Sequence, residues 1–376
     1  MKKLAVIGAN EPLLPFYKKA VKLGFEIYAF AWDEGAVCKD LAKEFYPISF
    51  IEKDLILEKC REIGIDGITS FSLESALPTV IYIAEKMNLV SNSSSILDYT
   101  GNKYNMRQKC RDSGLDLLDF WLLETIDNLD KHKIRYPVIV KPCDGGGARG
   151  ISLVKHDKEM AVAFEYALKY SKTNKVIVEE YIEGVEASAV FISYEGKHKL
   201  VTVTDKITSG SPHYVELEHS QPSSFSRDIV IKIDSLCTEV LTILNVKVGV
   251  TSIDLRIREN GEPVVIEVNP RMGGNMITSH LVELSTGFDI VKAACDLACG
   301  SPLELPEKLY SRNAQVFYYT PYSLWVKEFC EKKKDSSNLE EVALKELNLV
   351  CENNLQRSGY VVYSGEEKIL LNTNSY

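Results

Sequence analysis

The pattern of apolar and polar positions changes character near Thr100. Before it, short apolar runs alternate with stretches of helical spacing. Residues 4–7, 25–30 and 65–70 read as strands, and residues 14–23, 55–63 and 75–87 as helices. The last helix is entered through Ser72-Leu-Glu-Ser. Alternation of this kind predicts a parallel sheet with helices on its faces, an α/β arrangement of the Rossmann-like type. Gly8-Ala9-Asn10 follows the first strand, where such folds bind ligands. It lacks the second and third glycines of a dinucleotide fingerprint, which argues against nicotinamide or flavin.

After Thr100 the texture is mixed, of the α+β kind. Residues 102–113 form a basic helical stretch. Strands are predicted at 138–141, 151–154, 176–179, 186–193 and 199–204, and a loop rich in Ser, Pro and His at 209–224. A long helix follows at 228–244, then a hairpin across 252–271 and a helix over 289–299. Ser301-Pro-Leu-Glu-Leu-Pro306 reads as a linker. The last seventy residues predict strands at 315–320, 360–363 and 368–371 with at least one helix. The run Glu331-Lys-Lys-Lys-Asp335 reads as an exposed helix end or loop. Three regions result: an N-terminal α/β domain at 1–98, a central domain at 99–300 with a subdomain at about 130–190, and a small mixed C-terminal region at 301–376.

The hairpin carries the most informative chemistry. Asn260-Gly261 is a strong turn signal. Centring the turn there puts Asp254 directly opposite Glu267. Ile253, Leu255 and Ile257 then share the buried face with Val264, Ile266 and Val268, while Asp254, Arg256, Glu267, Asn269 and Arg271 share the other. Facing like charges destabilise a sheet, and a cation between them would remove the penalty. Oxygen ligands of this kind suit Mg²⁺. A charged hairpin face is also what an ordinary solvated surface looks like, so this element needs support elsewhere.

Two further stretches supply it. Val138-Ile-Val-Lys141-Pro-Cys-Asp-Gly145-Gly146-Gly147 puts a lysine and three glycines between two strands. Such a loop lets backbone approach a ligand and can form an anion nest, and Lys141 could meet a phosphate. Val176-Ile-Val-Glu179-Glu180-Tyr181-Ile182 ends a buried strand in carboxylates, and backbone groups at Glu180 to Ile182 could read an adenine edge.

Composition excludes more than it selects. The 376 residues carry a net charge of −9 with signs interspersed, so neither nucleic acid nor an anionic membrane surface has an electrostatic footprint. No apolar stretch approaches the roughly 20 residues of a membrane span. The start at Met1-Lys-Lys has too short an apolar run for a signal peptide. Nine cysteines without a Cys-x-x-Cys fit a reduced, cytoplasmic chain, with Cys295 and Cys299 read as core.

Taken in order, Lys103, Lys141 with its glycine loop, Glu179 to Glu186, and Asp254 followed by Glu267-x-Asn269 resemble the ATP-grasp superfamily. The resemblance covers about residues 1–300. Phe71-Ser-Leu-Glu-Ser, Met87-Asn-Leu and Thr100-Gly-Asn-Lys103 resemble the N-terminal domain of biotin-carboxylase-like members. The spacing of Asp254, Glu267 and Asn269 resembles the metal pattern of D-alanine–D-alanine and L-amino acid ligases, and Met272-Gly-Gly-Asn through Gly287 looks most like the latter.

The resemblance implies a pre-ATP-grasp domain followed by a two-lobed ATP-grasp fold. It implies that Lys103 and Lys141 hold ATP phosphates under a lid of Gly145, Gly146 and Gly147. Glu179 would accept from the adenine amino group, Glu180, Tyr181 and Ile182 would line the adenine, and Glu186 would bind ribose. Asp254, Glu267 and Asn269 would bind Mg²⁺, for which Mn²⁺ could substitute. Arg271, assisted by Arg256, would neutralise an acyl phosphate or substrate carboxylate. The loop from His213 to Pro222 and His280 stand near expected substrate contacts, His280 being equally readable as a cap or core residue. The implied activity is an ATP-dependent carboxylate–amine ligase acting on small carboxylate and amine substrates, amino acids foremost, in a cytoplasmic protein compatible with a homodimer. A nucleotide-precursor or carbamoyl-phosphate type enzyme, a carboxylate kinase and a non-catalytic ATP-binding protein are the alternatives.

Overall fold

Three sheets organise the computed structural model, which describes residues 1–129, 134–145, 149–210, 213–303, 309, 311–334 and 336–370. The first is parallel. It is built from β1 (Lys3–Ile7), β2 (Glu26–Phe30), β3 (Glu44–Tyr46) and β4 (Gly67–Ser70) in the order β3-β2-β1-β4. Helices α1 (Leu14–Lys22), α2 (Lys53–Ile63) and α3 (Leu77–Met87) connect its strands and lead out of β4. Gly64 ends α2 at φ 66° and Asn88 ends α3 at φ 54°, left-handed positions that stop a helix. This α/β part agrees with the alternation read from the sequence. The three-residue edge strand β3 carries no such signal.

After α4 (Leu97–Thr100), Asn102 caps α5 (Lys103–Asp112) by accepting from the Asn105 amide at 3.0 Å. A second sheet follows, from β5 (Phe120–Leu123), β6 (Val138–Pro142), β7 (Ser152–Val154) and, beyond α6 (Met160–Leu168), β8 (Val176–Glu180). Its order is β5-β8-β6-β7, all antiparallel. β5 and α6 had no clear sequence signal.

The third sheet has eight strands. β9 (Val185–Tyr194), β10 (Lys197–Thr208), β11 (Glu216–Gln221), α7 (Arg227–Ile243), β12 (Gly249–Ile257) and β13 (Pro263–Asn269) come first. A π-helical turn at Ile277–Leu281 leads into α8 (Val282–Thr286) and α9 (Ile290–Ala298). β14 (Asn313–Tyr318), α10 (Trp325–Lys332), β15 (Leu339–Leu344) and β16 (Gly359–Gly365) complete the chain, and the sheet order is β13-β12-β9-β10-β11-β14-β16-β15. The C-terminal strands thus extend the central sheet through the β11–β14 pairing.

Two predicted elements are corrected here. The loop expected at 209–224 contains β11, whose six residues are all buried. Its polar sequence, Glu-Leu-Glu-His-Ser-Gln, conceals it because neighbouring polar side chains satisfy it from both faces. The strand expected at 368–371 is absent over 368–370, and residue 371 lies outside the described residues. Residues 304–306 of the expected linker also lie outside them, as does Asp335 of the charge run, whose Lys332 ends α10. Among the described residues no helix is long and apolar enough to cross a membrane.

The parallel sheet meets the large one where the site will be built. Phe71, just past β4, bridges Met272, just past Arg271, and the Ser72 amide donates to the Met272 carbonyl at 3.2 Å.

Candidate active site

The site's floor is the β12–β13 hairpin, and its register contains two offsets that cancel. The turn closes with the Gly261 amide on the Arg258 carbonyl and the Arg258 amide on the Glu262 carbonyl, Gly261 taking φ 80°. That is one residue away from a turn centred on Asn260-Gly261, so Ile257 pairs with Pro263 and Leu255 with Val265. A bulge at Ile266 then restores the expected pairing of Asp254 with Glu267 and gives Ser252 opposite Asn269. The apolar face is corrected accordingly. Val265 and Val268 join Ile253, Leu255 and Ile257 beneath α7, whereas Val264 and Ile266 turn to the other side.

On that other side Val264 and Ile266 pack with Leu118, Phe120, Cys143, Ile177 and Ile182, making an apolar seat between hairpin and second sheet. Carboxylates fringe it. Glu186 meets Arg256 at 2.9 Å, and Glu180 meets Arg258 at 2.9 Å. Arg256 also donates to the Ile182 carbonyl at 2.9 Å and lies 5.4 Å from the Tyr181 ring centroid. Expected beside Arg271, Arg256 is instead tied to the strand carrying Glu186. The reason is simple: β9 runs alongside β12, and Glu186 is its direct neighbour.

The lysines sit at the opposite end. Lys103 opens α5, where its amide donates to the Cys143 carbonyl at 2.7 Å. Its ammonium lies 2.8 Å from Glu267 and donates to the Gly145 carbonyl at 2.9 Å. Burial alone would lower the Lys103 pKa, but Glu267 outweighs it and raises it. Burial pushes Glu267 up, and Lys103 outweighs that and holds it low. Lys141 lies 2.6 Å from Glu179, both almost fully buried. Burial depresses Lys141, with Arg107 and Lys103 adding to it. Glu179, expected to face an adenine amino group, has its two oxygens beside Arg107, at 2.9 Å, and Lys141. Gly145 is the described end of the glycine loop, at φ 98°. Gly146 and Gly147 lie outside the described residues.

Arg271 completes the enclosure. It donates to the Met272 carbonyl at 3.2 Å and to Asn269 at 3.5 Å. Burial lowers its pKa against the pull of Glu74, Asp254 and Glu267. Glu74, half-buried just past β4, has its pKa raised by burial and then by Glu267. Asp254 meets Lys206 of β10 at 3.2 Å, and Lys206 lies 3.5 Å from the buried Glu216 of β11. His219, wholly buried, and Arg357 flank that carboxylate at 3.6 and 3.5 Å. Burial pushes Glu216 up, and His219, Lys206 and Arg357 together outweigh it and hold it low.

Sequence reasoning missed Arg107, Glu74, Lys206, Glu216 and Arg357. Arg107 had one usable signal, its position one helical turn after Lys103. His213 lies in the turn before β11, and His280 pairs with Glu341 of β15 at 2.9 Å.

The donor set fits a hard divalent cation. Among the described residues no three His, Cys, Asp or Glu side chains form a ready metal cage. The set here is two carboxylates and the Asn269 amide oxygen, all oxygen donors, which leaves positions for phosphate oxygens. The negative charge of Asp254 and Glu267 is met by the ammonium groups of Lys206 and Lys103.

Comparison with known proteins places part of the chain in a family. Residues 134–279 match the family model of the ATP-grasp domain. An uncharacterized protein of Sinorhizobium fredii, y4rH, is 27% identical over 68% of this chain and 53% of its own length. A D-alanine–D-alanine ligase of Parabacteroides distasonis is 27% identical over 53% of this chain and 62% of its own. The chain thus spans a little over half the length of these curated relatives. The crystal structure of an L-amino acid ligase from Bacillus licheniformis superposes with a TM-score of 0.82 over 98% of this chain and 94% of that one, at 22% identity, and so shares its fold. The chain carries an ATP-grasp domain.

Proposed function

We propose that the chain is an ATP-dependent carboxylate–amine ligase joining small amino-acid-like substrates through an acyl phosphate. One observation carries the reading. The facing pair Asp254–Glu267 has Lys103 on Glu267 at 2.8 Å, Lys206 on Asp254 at 3.2 Å, and the buried Arg271 within electrostatic reach of both. A relative named D-alanine–D-alanine ligase and a neighbour named L-amino acid ligase support amino acids as the substrate class.

The apolar seat around Ile182 and Val264 would take the adenine, with backbone at Glu180 to Ile182 at its edge and Glu186 beside the ribose. Lys103 and Lys141 would neutralise the phosphates. Asp254, Glu267 and Asn269 would hold Mg²⁺ or Mn²⁺, which supplies charge neutralisation at the phosphate oxygens. The substrate carboxylate oxygen attacks the γ-phosphorus and ADP leaves. Arg271 offsets the charge of the acyl phosphate. The amine then attacks the acyl carbon, the C–N bond forms, and phosphate departs with the C–O electron pair and takes up the proton that the amine loses. Such chemistry is mostly positioning and charge compensation, so the site needs no nucleophilic side chain. The loop from Gly145, anchored to Lys103, would shield the acyl phosphate from water.

The test is release of ADP and phosphate over a panel of amino acid pairs with Mg²⁺. Phosphate release that requires both a carboxylate and an amine supports the ligase. Release with the acid alone reassigns the chain to a carboxylate kinase, and no ADP with any pair removes the proposal.

A further inference from the structure

Among the described residues the largest fully buried side chain is charged, and the reaction above gives it no task. Arg107, 1% exposed, lies on α5 one turn after Lys103. Its Nε sits 2.9 Å from Glu179 Oε1, close enough for charge attraction though off the line of a hydrogen bond. Its Nη2 donates to the Ile266 carbonyl at 2.9 Å. Arg107 therefore touches three elements at once: the helix that carries Lys103, the second sheet through Glu179 on β8, and the hairpin through the bulge residue next to Glu267.

We propose that Arg107 is a positioning residue, which stays on Glu179 as its countercharge while the Lys141 ammonium leaves Glu179 for an ATP phosphate. The inference rests on the ATP reading of the site. Lys141 is already engaged. Its ammonium is 2.6 Å from Glu179 Oε2, and both side chains are at most 5% exposed. Moving it to a phosphate strips a cation from a buried carboxylate, and an uncompensated buried charge is costly. A guanidinium on the other oxygen keeps its charge at any working pH. Glu179 thus remains paired throughout the exchange. With a neutral residue at position 107, Lys141 would be the one cation left on Glu179 among the described residues, and it would be held there. The second arm of Arg107 holds the bulge where the strand ladder is interrupted, which ties α5 to the hairpin.

The experiment is calorimetric binding of a non-hydrolysable ATP analogue with Mg²⁺, which needs no turnover. It compares the parental chain, Arg107→Met, Arg107→Lys, Glu179→Gln and the double variant Arg107→Met/Glu179→Gln. Arg107→Met is expected to weaken binding by about 30-fold, and Arg107→Lys, which keeps the charge, by about 5-fold or less. In the double variant the neutral amide no longer traps Lys141, so at least about 10-fold of the loss returns, read against urea unfolding to separate regained binding from regained stability. The double variant leaves the buried Lys141 without its carboxylate, so urea unfolding of every variant is measured alongside. Should Arg107→Met fail to fold, Arg107→Lys carries the test, and a loss of about 30-fold in it overturns the inference. A double variant no better than Arg107→Met overturns the inference. A parental chain that does not bind the analogue overturns the ATP reading instead, so the two failures are distinguishable.

Discussion

Glu179 and Glu267 are both carboxylates within 2.8 Å of a lysine, and their surroundings make them opposites. Glu179 is 3% exposed and wedged between two cations. Glu267 is 22% exposed, meets one ammonium, and faces a second carboxylate across the hairpin. The first is a closed set, one carboxylate held between two buried cations. The second is an open set, two facing carboxylates each answered by a single ammonium, with Glu267 partly exposed. A carboxylate whose partners are all protein serves orientation, whereas one held against a like charge beside a cleft is suited to a cation that arrives from outside.

The sharpest way to break the comparison is Glu267→Gln. The amide keeps the shape and loses the charge. Turnover is expected to fall by roughly 10²–10³-fold, the scale on which single charge-stabilising groups act in such sites. Thermal unfolding should stay within a few degrees of the parental chain, because the strand pairing is untouched. Parental turnover in the variant would remove Glu267 from the metal set.

Glu179→Leu should do the reverse, costing stability first. It leaves Arg107 and Lys141 buried without their carboxylate, and breaking a buried pair from one side costs about 3–5 kcal/mol. Urea unfolding measures it. A loss under about 1 kcal/mol, the scale of an exposed pair, would mean that Glu179 is not the closed set described here.

The same contrast explains what the chain's pattern made legible. The open set lies on a hairpin, where period-two alternation and a strong turn signal fix which residues share a face. Even there Asp254 met Glu267 only because the turn and the bulge at Ile266 deviate by one residue in opposite senses. The closed set was hidden. Arg107 sits in a basic helical stretch, where solvated charge is the default reading, and its burial follows from three elements meeting that no local spacing encodes. β11 was hidden likewise, since Glu216, His219 and Gln221 look like loop until the strands and side chains that satisfy them are in place. Lys141 and Arg271 stood out because each lies at a strand end or beside a glycine turn, where local sequence does constrain direction, whereas Lys103 came from the resemblance to the ATP-grasp superfamily.

A third pair extends the comparison to the surface and predicts the smallest effect. His280 meets Glu341 at 2.9 Å, joining the turn after Arg271 to β15, with the Glu341 side chain 41% exposed. The His280 hydrogen bond is the main cause that brings the Glu341 carboxyl down from 4.5 to about 2. A depressed carboxyl stabilises the fold above its unfolded value and loses that contribution as pH falls through its folded value. The contribution of Glu341 should therefore be complete above about pH 5 and vanish progressively toward pH 2. Exposure to solvent limits its size to about 1 kcal/mol or less. Glu341→Gln should be slightly less stable than the parental chain at pH 6, and the gap should close as acid is added, read by urea unfolding at several pH values. A gap that stays constant with pH would mean that the carboxylate charge is not what ties His280 to β15. The pair would then differ from Glu179 and Glu267 in kind, and not only in burial.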